Sequence, residues 1–98
     1  MAGLKTKVFA FTEDGLNCLP IDKSIVYTIK DKKNRNLFTG VASRGRVFAR
    51  IIEHLPSGSL PLIGGITLHI QQQKTIASAI ETASQIIARD KPRYNRKE

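Results

Sequence analysis

Ninety-eight residues, 41% of them apolar and 24% charged, suffice for one domain with one core and leave no room for a second. No apolar run reaches the roughly 20 residues that span a bilayer. No secretory h-region follows the basic start, and the single cysteine, Cys18, cannot close an internal disulfide, so a reducing, cytoplasmic setting is expected.

Lys7 to Thr12 reads as a short strand, ended by the turn residues Glu13-Asp14-Gly15. A connector runs through Leu19-Pro20-Ile21-Asp22. Ser24 to Lys30 is β-branched and aromatic and predicts a strand. The polar stretch Asp31 to Asn36 predicts a turn, and Leu37 to Val41 a second strand. The pair is a hairpin with a basic tip. The period then changes. Val47, Phe48, Ile51, Ile52 and Leu55 fall on one helical face, with Ser43 as the expected N-cap and Pro56-Ser57-Gly58 as the stop. Ile66-Thr67-Leu68-His69-Ile70 alternates, predicting a third strand with Ile66, Leu68 and Ile70 inward, entered through a bend at Gly64-Gly65. Lys74 to Arg89 predicts a second helix, capped by Thr75, burying Ile76, Ile80, Ala83 and Ile87 and ended by Pro92. The expected fold is α+β: a small three-stranded antiparallel sheet packed on one face by two helices, in the order β-β-α-β-α, with an extra N-terminal strand.

Sixteen Lys and Arg against eight Asp and Glu give a formal charge of +8. Such a field attracts polyanions, nucleic acid first among them. The cations cluster at the hairpin tip (Lys32, Lys33, Arg35), before the first helix (Arg44, Arg46) and in the tail (Arg93, Arg96).

Several short motifs occur in order on these elements. Ile25-Val26-Tyr27 is followed, ten residues on, by Phe38-Thr39-Gly40; Leu19-Pro20 precedes them. Arg50-Ile51-Ile52-Glu53-His54 lies on the first helix and Lys91-Pro92-Arg93-Tyr94-Asn95 closes the chain. Together they resemble the motifs of the GIY-YIG nuclease superfamily, over Leu19 to Asn95. The resemblance implies a site built from Tyr27, Arg50, His54 and Asn95. Arg50 would clamp a phosphodiester, His54, four residues on along the same helix face, would move a proton or touch phosphate, and Asn95 would order the site. It also implies that the helix start and the tail flank the catalytic face, so that the three basic clusters form one cationic surface holding a nucleic-acid backbone, DNA before RNA.

Two positions depart from the family pattern. Phe38 stands where the family has a proton-handling tyrosine and carries no hydroxyl. Ala83 stands where the family has a metal-binding glutamate, and alanine cannot ligate a hard cation. Glu81 points away from the apolar stripe, and Glu53 is expected to pair with Arg50. The implied function is a nuclease-like module that binds nucleic acid without cutting it, with no metal site. The alternatives are an active endonuclease that uses Mg²⁺ at a rearranged site, and a scaffold for protein interaction. His69, Gly64-Gly65 and Cys18 carry no motif of their own.

Overall fold

The computed structural model describes residues 6–19, 22–55 and 58–95. Four strands, β1 (Thr6–Ala10), β2 (Ser24–Lys30), β3 (Asn36–Ala42) and β4 (Thr67–Gln73), form one antiparallel sheet in the order β1-β4-β2-β3. Around them lie the helical turn α1 (Glu13–Leu16), the short helix α2 (Val47–Ile52), the long helix α3 (Ile76–Asp90) and a final 3-10 turn, Arg93–Asn95. The class is α+β, as the patterning predicts. The N-terminal strand is not an appendage, however. It pairs with β4 from Thr6–Gln71 to Ala10–Thr67 and completes the sheet.

β2 and β3 form the expected hairpin. Asp31 builds its tip: one carboxylate oxygen accepts the main-chain N–H groups of Lys33 and Arg35, and the other accepts Arg35 Nε at 2.9 Å. Asn34 takes the left-handed conformation, φ 64°, that asparagine tolerates.

Alternation along β2 divides the core in two. Ile25, Tyr27 and Ile29 face α1 and α2 and pack with Leu16, Val47, Ile51, Leu68 and Ile70. Val26 faces the other way and packs with Ala79 and Ala83 of α3. The helices therefore sandwich the sheet, where the sequence reading put both on one face. β2 is buried on both sides from Ser24 to Ile29, and its one polar interruption within the apolar run, Thr28, is satisfied by a hydroxyl bond to Thr39 at 3.1 Å.

Three further expectations change. Ser43 does not cap α2. It opens a turn closed by a bond from Arg46 N–H to Ser43 C=O at 2.9 Å, and Gly45 supplies its positive φ of 86°. Arg46 is the N-cap, without a side-chain bond. Thr75 does cap α3, accepting the Ser78 N–H at 3.0 Å. Yet α3 turns Ala79, Ala83 and Ile86 to the sheet and leaves Ile76 and Ile80 exposed, because small residues let the helix lie close to the strands. Ile66 is also exposed, since β4 begins only at Thr67.

Candidate nucleic-acid interface

Tyr27 and Gly40 are direct partners in the β2–β3 ladder. With no side chain on Gly40, the Tyr27 ring lies across that position and is 98% buried in consequence, being 2% exposed. Phe38 flanks it on the same face of β3, ring centroids 5.9 Å apart. His54 follows α2 in a tightened turn, its N–H bonded to the carbonyl of Ile51 at 2.9 Å. Its ring lies 4.8 Å from Phe38 and its Nε2 is 3.2 Å from the Tyr27 hydroxyl.

The Leu60 carbonyl assigns the His54 tautomer. His54 Nδ1 lies 3.0 Å from the carbonyl of Leu60, which can only accept, so Nδ1 carries the hydrogen. Nε2 of the neutral ring is then an acceptor, and Tyr27 O–H donates to it. The main-chain carbonyl of His54 also accepts the N–H of Leu62 at 3.0 Å. His54 thus ties the loop 58–62 to Tyr27. Both its ring nitrogens are occupied, so neither is free to contact a ligand directly.

Above these rings lies a cleft of about 450 Å³, walled by Arg50, Glu53, the loop residues Ser59 to Leu62, and Tyr94. Arg50 is exposed on its rim. Glu53 forms no ion pair with Arg50, contrary to expectation, so the guanidinium is available to an anion. Burial pushes the Tyr27 hydroxyl up to about 12, Arg50 pulling it down and Glu53 adding to the rise. Tyr27 is therefore a hydrogen-bond donor at physiological pH and a poor base.

The structure brings Tyr27, Arg50 and His54 together, as the motifs imply. Asn95 does not line this cleft. Its side-chain amide pairs with the main chain of edge strand β3, accepting Thr39 N–H at 2.8 Å and donating to Thr39 C=O at 2.9 Å. It closes the sheet edge and holds the adjacent Tyr94 against the cleft. Asn95→Ala should cost about 1–2 kcal/mol, the worth of two neutral bonds, and should speed hydrogen exchange at the Thr39 amide. Unchanged exchange there would show that another group holds the edge.

Ala83 is 5% exposed against Val26, on the sheet face opposite Tyr27. A glutamate there would be buried between α3 and the sheet and would not reach the cleft. Glu81 is exposed on α3. Of the residues lining the cleft only Glu53 is a carboxylate, and among the described residues no three His, Cys, Asp or Glu side chains group as metal ligands. Mg²⁺ demands several oxygen ligands in octahedral array, which one carboxylate beside an arginine does not supply. The residues do not fit a bound magnesium ion.

Basic residues gather in two places. Lys32 and Arg35 share a groove with Arg93 at the hairpin end of the sheet. Lys33 is exposed on the same tip. Arg44 sits beside Lys23 and Lys74 in a depression at the start of β2. The six steps of β2 separate these two places by about 20 Å, with Arg46 exposed at the start of α2 and Arg50 exposed on it. Arg96 lies outside the described residues. Sequence reasoning missed Gly40, Tyr94 and the loop 59–62 as parts of the cleft. Gly40 and Tyr94 lie inside quoted motifs, but nothing in the sequence says that a glycine's missing side chain houses a tyrosine on the next strand. Among the described residues no helix is long and apolar enough to cross a membrane. No family model, no curated protein and no solved structure matches this chain.

Proposed function

We propose that this protein is a GIY-YIG-like domain that binds a nucleic-acid backbone at the Tyr27–Arg50 cleft and does not hydrolyse it. The observation that carries this reading is an exposed Arg50, without an ion-pair partner among the described residues, on the rim of a cleft floored by the rings of Tyr27, Phe38 and His54. An exposed arginine on a concave rim suits a phosphodiester oxygen, while the single Tyr27 proton is committed to His54 Nε2. The formal charge of +8 supplies the long-range attraction. Cutting needs more: a base near neutrality and, in metal-dependent hydrolysis, a clamp of oxygen ligands. Tyr27 loses its proton only near pH 12, Phe38 has no hydroxyl, and Glu53 is a single carboxylate.

The test joins binding to cleavage. Labelled single-stranded, duplex and structured DNA and RNA are titrated across a salt series, and the same substrates are incubated with Mg²⁺ or Mn²⁺. Binding that weakens steeply with salt, falls roughly tenfold in Arg50→Ala, and produces no nicks is the expected result. Nicking that Arg50→Ala abolishes would make the protein an endonuclease with a rearranged site. No binding even at low salt would leave the protein-interaction scaffold, a reading favoured by Ile76 and Ile80, exposed on α3 by 40% and 51%.

A further inference from the structure

A second groove of about 450 Å³ lies beside the cleft: Leu62 and Tyr94 line the cleft, and their chain neighbours Ile63 and Arg93 line the groove. One wall is cationic: Lys32 and Arg35 from the hairpin tip and Arg93 from the 3-10 turn. The other is apolar: Leu37 on β3, with Ile63 and Ile66 from the loop, the last two 65% and 52% exposed. Asp31 also lines the groove, but its carboxylate is consumed by the turn it builds. It accepts two main-chain N–H groups and Arg35 Nε, and these bonds hold it below the usual carboxylate range. The guanidinium of Arg93 lies 5.6 Å from the centre of the Tyr94 ring, which places this cation at the junction of the two depressions.

We infer that this groove is a subsite for an unpaired nucleotide of the strand whose backbone lies in the Tyr27–Arg50 cleft. The inference rests on the nucleic-acid reading above and narrows its substrate class. A paired duplex shows a protein surface its sugars and phosphates and hides its base faces in the stack. Such a surface would engage the three cations and leave Leu37, Ile63 and Ile66 against polar groups. An unpaired nucleotide carries an anionic phosphate and a flat, weakly polar base one sugar apart. It matches both walls at once: phosphate to Lys32 and Arg93, beside an Arg35 that is ion-paired with Asp31, and base face to the isoleucines. The volume lies within the range of roughly 300–1,000 Å³ that small-ligand sites occupy. Contact with a base face is tolerant of base identity, so the subsite distinguishes unpaired from paired and reads no sequence.

The experiment compares a labelled matched duplex with the same duplex carrying a single-stranded oligothymidylate extension, by anisotropy over a salt series. The extended probe should bind about fivefold or more tightly, the worth of the apolar area that one base covers. Ile63→Ser/Ile66→Ser alters exposed side chains and should retain the circular dichroism of the parent. It should abolish the preference and keep the slope of affinity against salt. Arg93→Gln should lower that slope by about one phosphate's worth and keep the preference. Equal affinity for the two probes, or a preference that survives the double isoleucine variant, would overturn the subsite and leave backbone binding standing. No binding of either probe would overturn both readings. Saturable binding of an acidic, isoleucine-rich peptide that competes with the extension and is lost in the double variant would assign the groove to a protein partner instead.

Discussion

Gly40→Ala should destabilise the protein by about 2–3 kcal/mol, the cost of overpacking a core that cannot relax. The added methyl would lie 2.7 Å from the Tyr27 hydroxyl, 2.8 Å from its ring and 2.8 Å from the Phe38 ring. Phe38 is half-buried and can swing aside. Tyr27 cannot, because its ring is enclosed and its hydroxyl is bonded to His54. Either that bond breaks, or edge strand β3 moves away from β2. Both routes open the floor of the cleft, so phosphate-backbone affinity should fall with stability. Urea midpoints of the parent and the variant measure the first effect and anisotropy the second. A midpoint shift worth less than about 0.5 kcal/mol would show that Tyr27 has room the geometry does not display.

Tyr27→Phe should cost about 1–3 kcal/mol at neutral pH, since it leaves His54 Nε2 buried without a donor. Its distinctive signature is alkaline. Burial raises the Tyr27 hydroxyl from 10.0 to about 12. Between these values the unfolded chain has lost the proton and the folded chain keeps it, so the native state binds more protons and stability falls as pH rises. The contribution is complete below pH 10 and lost through pH 12. At about 1.4 kcal/mol per unit it amounts to roughly 2–3 kcal/mol. Lysines deprotonate in both proteins and cancel in the comparison. The gap between parent and Tyr27→Phe should therefore be constant from pH 7 to 9 and shrink steadily towards pH 12. A gap that stays constant through pH 12 would mean that the native state lets Tyr27 ionise as freely as the unfolded chain does.

The hairpin was legible because its determinants are local. A β-branched run, a polar tip and a residue that tolerates positive φ lie within twenty residues of one another. Thr75 was legible as a cap for the same reason. The face of α3 was not: Ile76, Ile80 and Ile87 make the more apolar arc, but Ala79 and Ala83 meet the sheet. Hydrophobic period marks an apolar side and does not say how close the partner must come. The position of Ala83 follows from this. Its place on an apolar stripe was readable, but its place on the face away from Tyr27 required the strand order.

The sequence by itself determined the class of the domain, the strands of the hairpin, the helix that Thr75 starts and Pro92 ends, and the excess of positive charge. These depend on residue type and short spacing. The grouping of Tyr27 with Arg50 and His54 was only implied by the family resemblance. The net charge of +8 and the single cysteine leave the partner open. Only the tertiary structure decided that β1 completes the sheet, that the helices lie on opposite faces, and that Asn95 clasps an edge strand. Those facts are pairings between residues as far apart as Thr39 and Asn95, and no local period encodes which distant neighbour a backbone group will find.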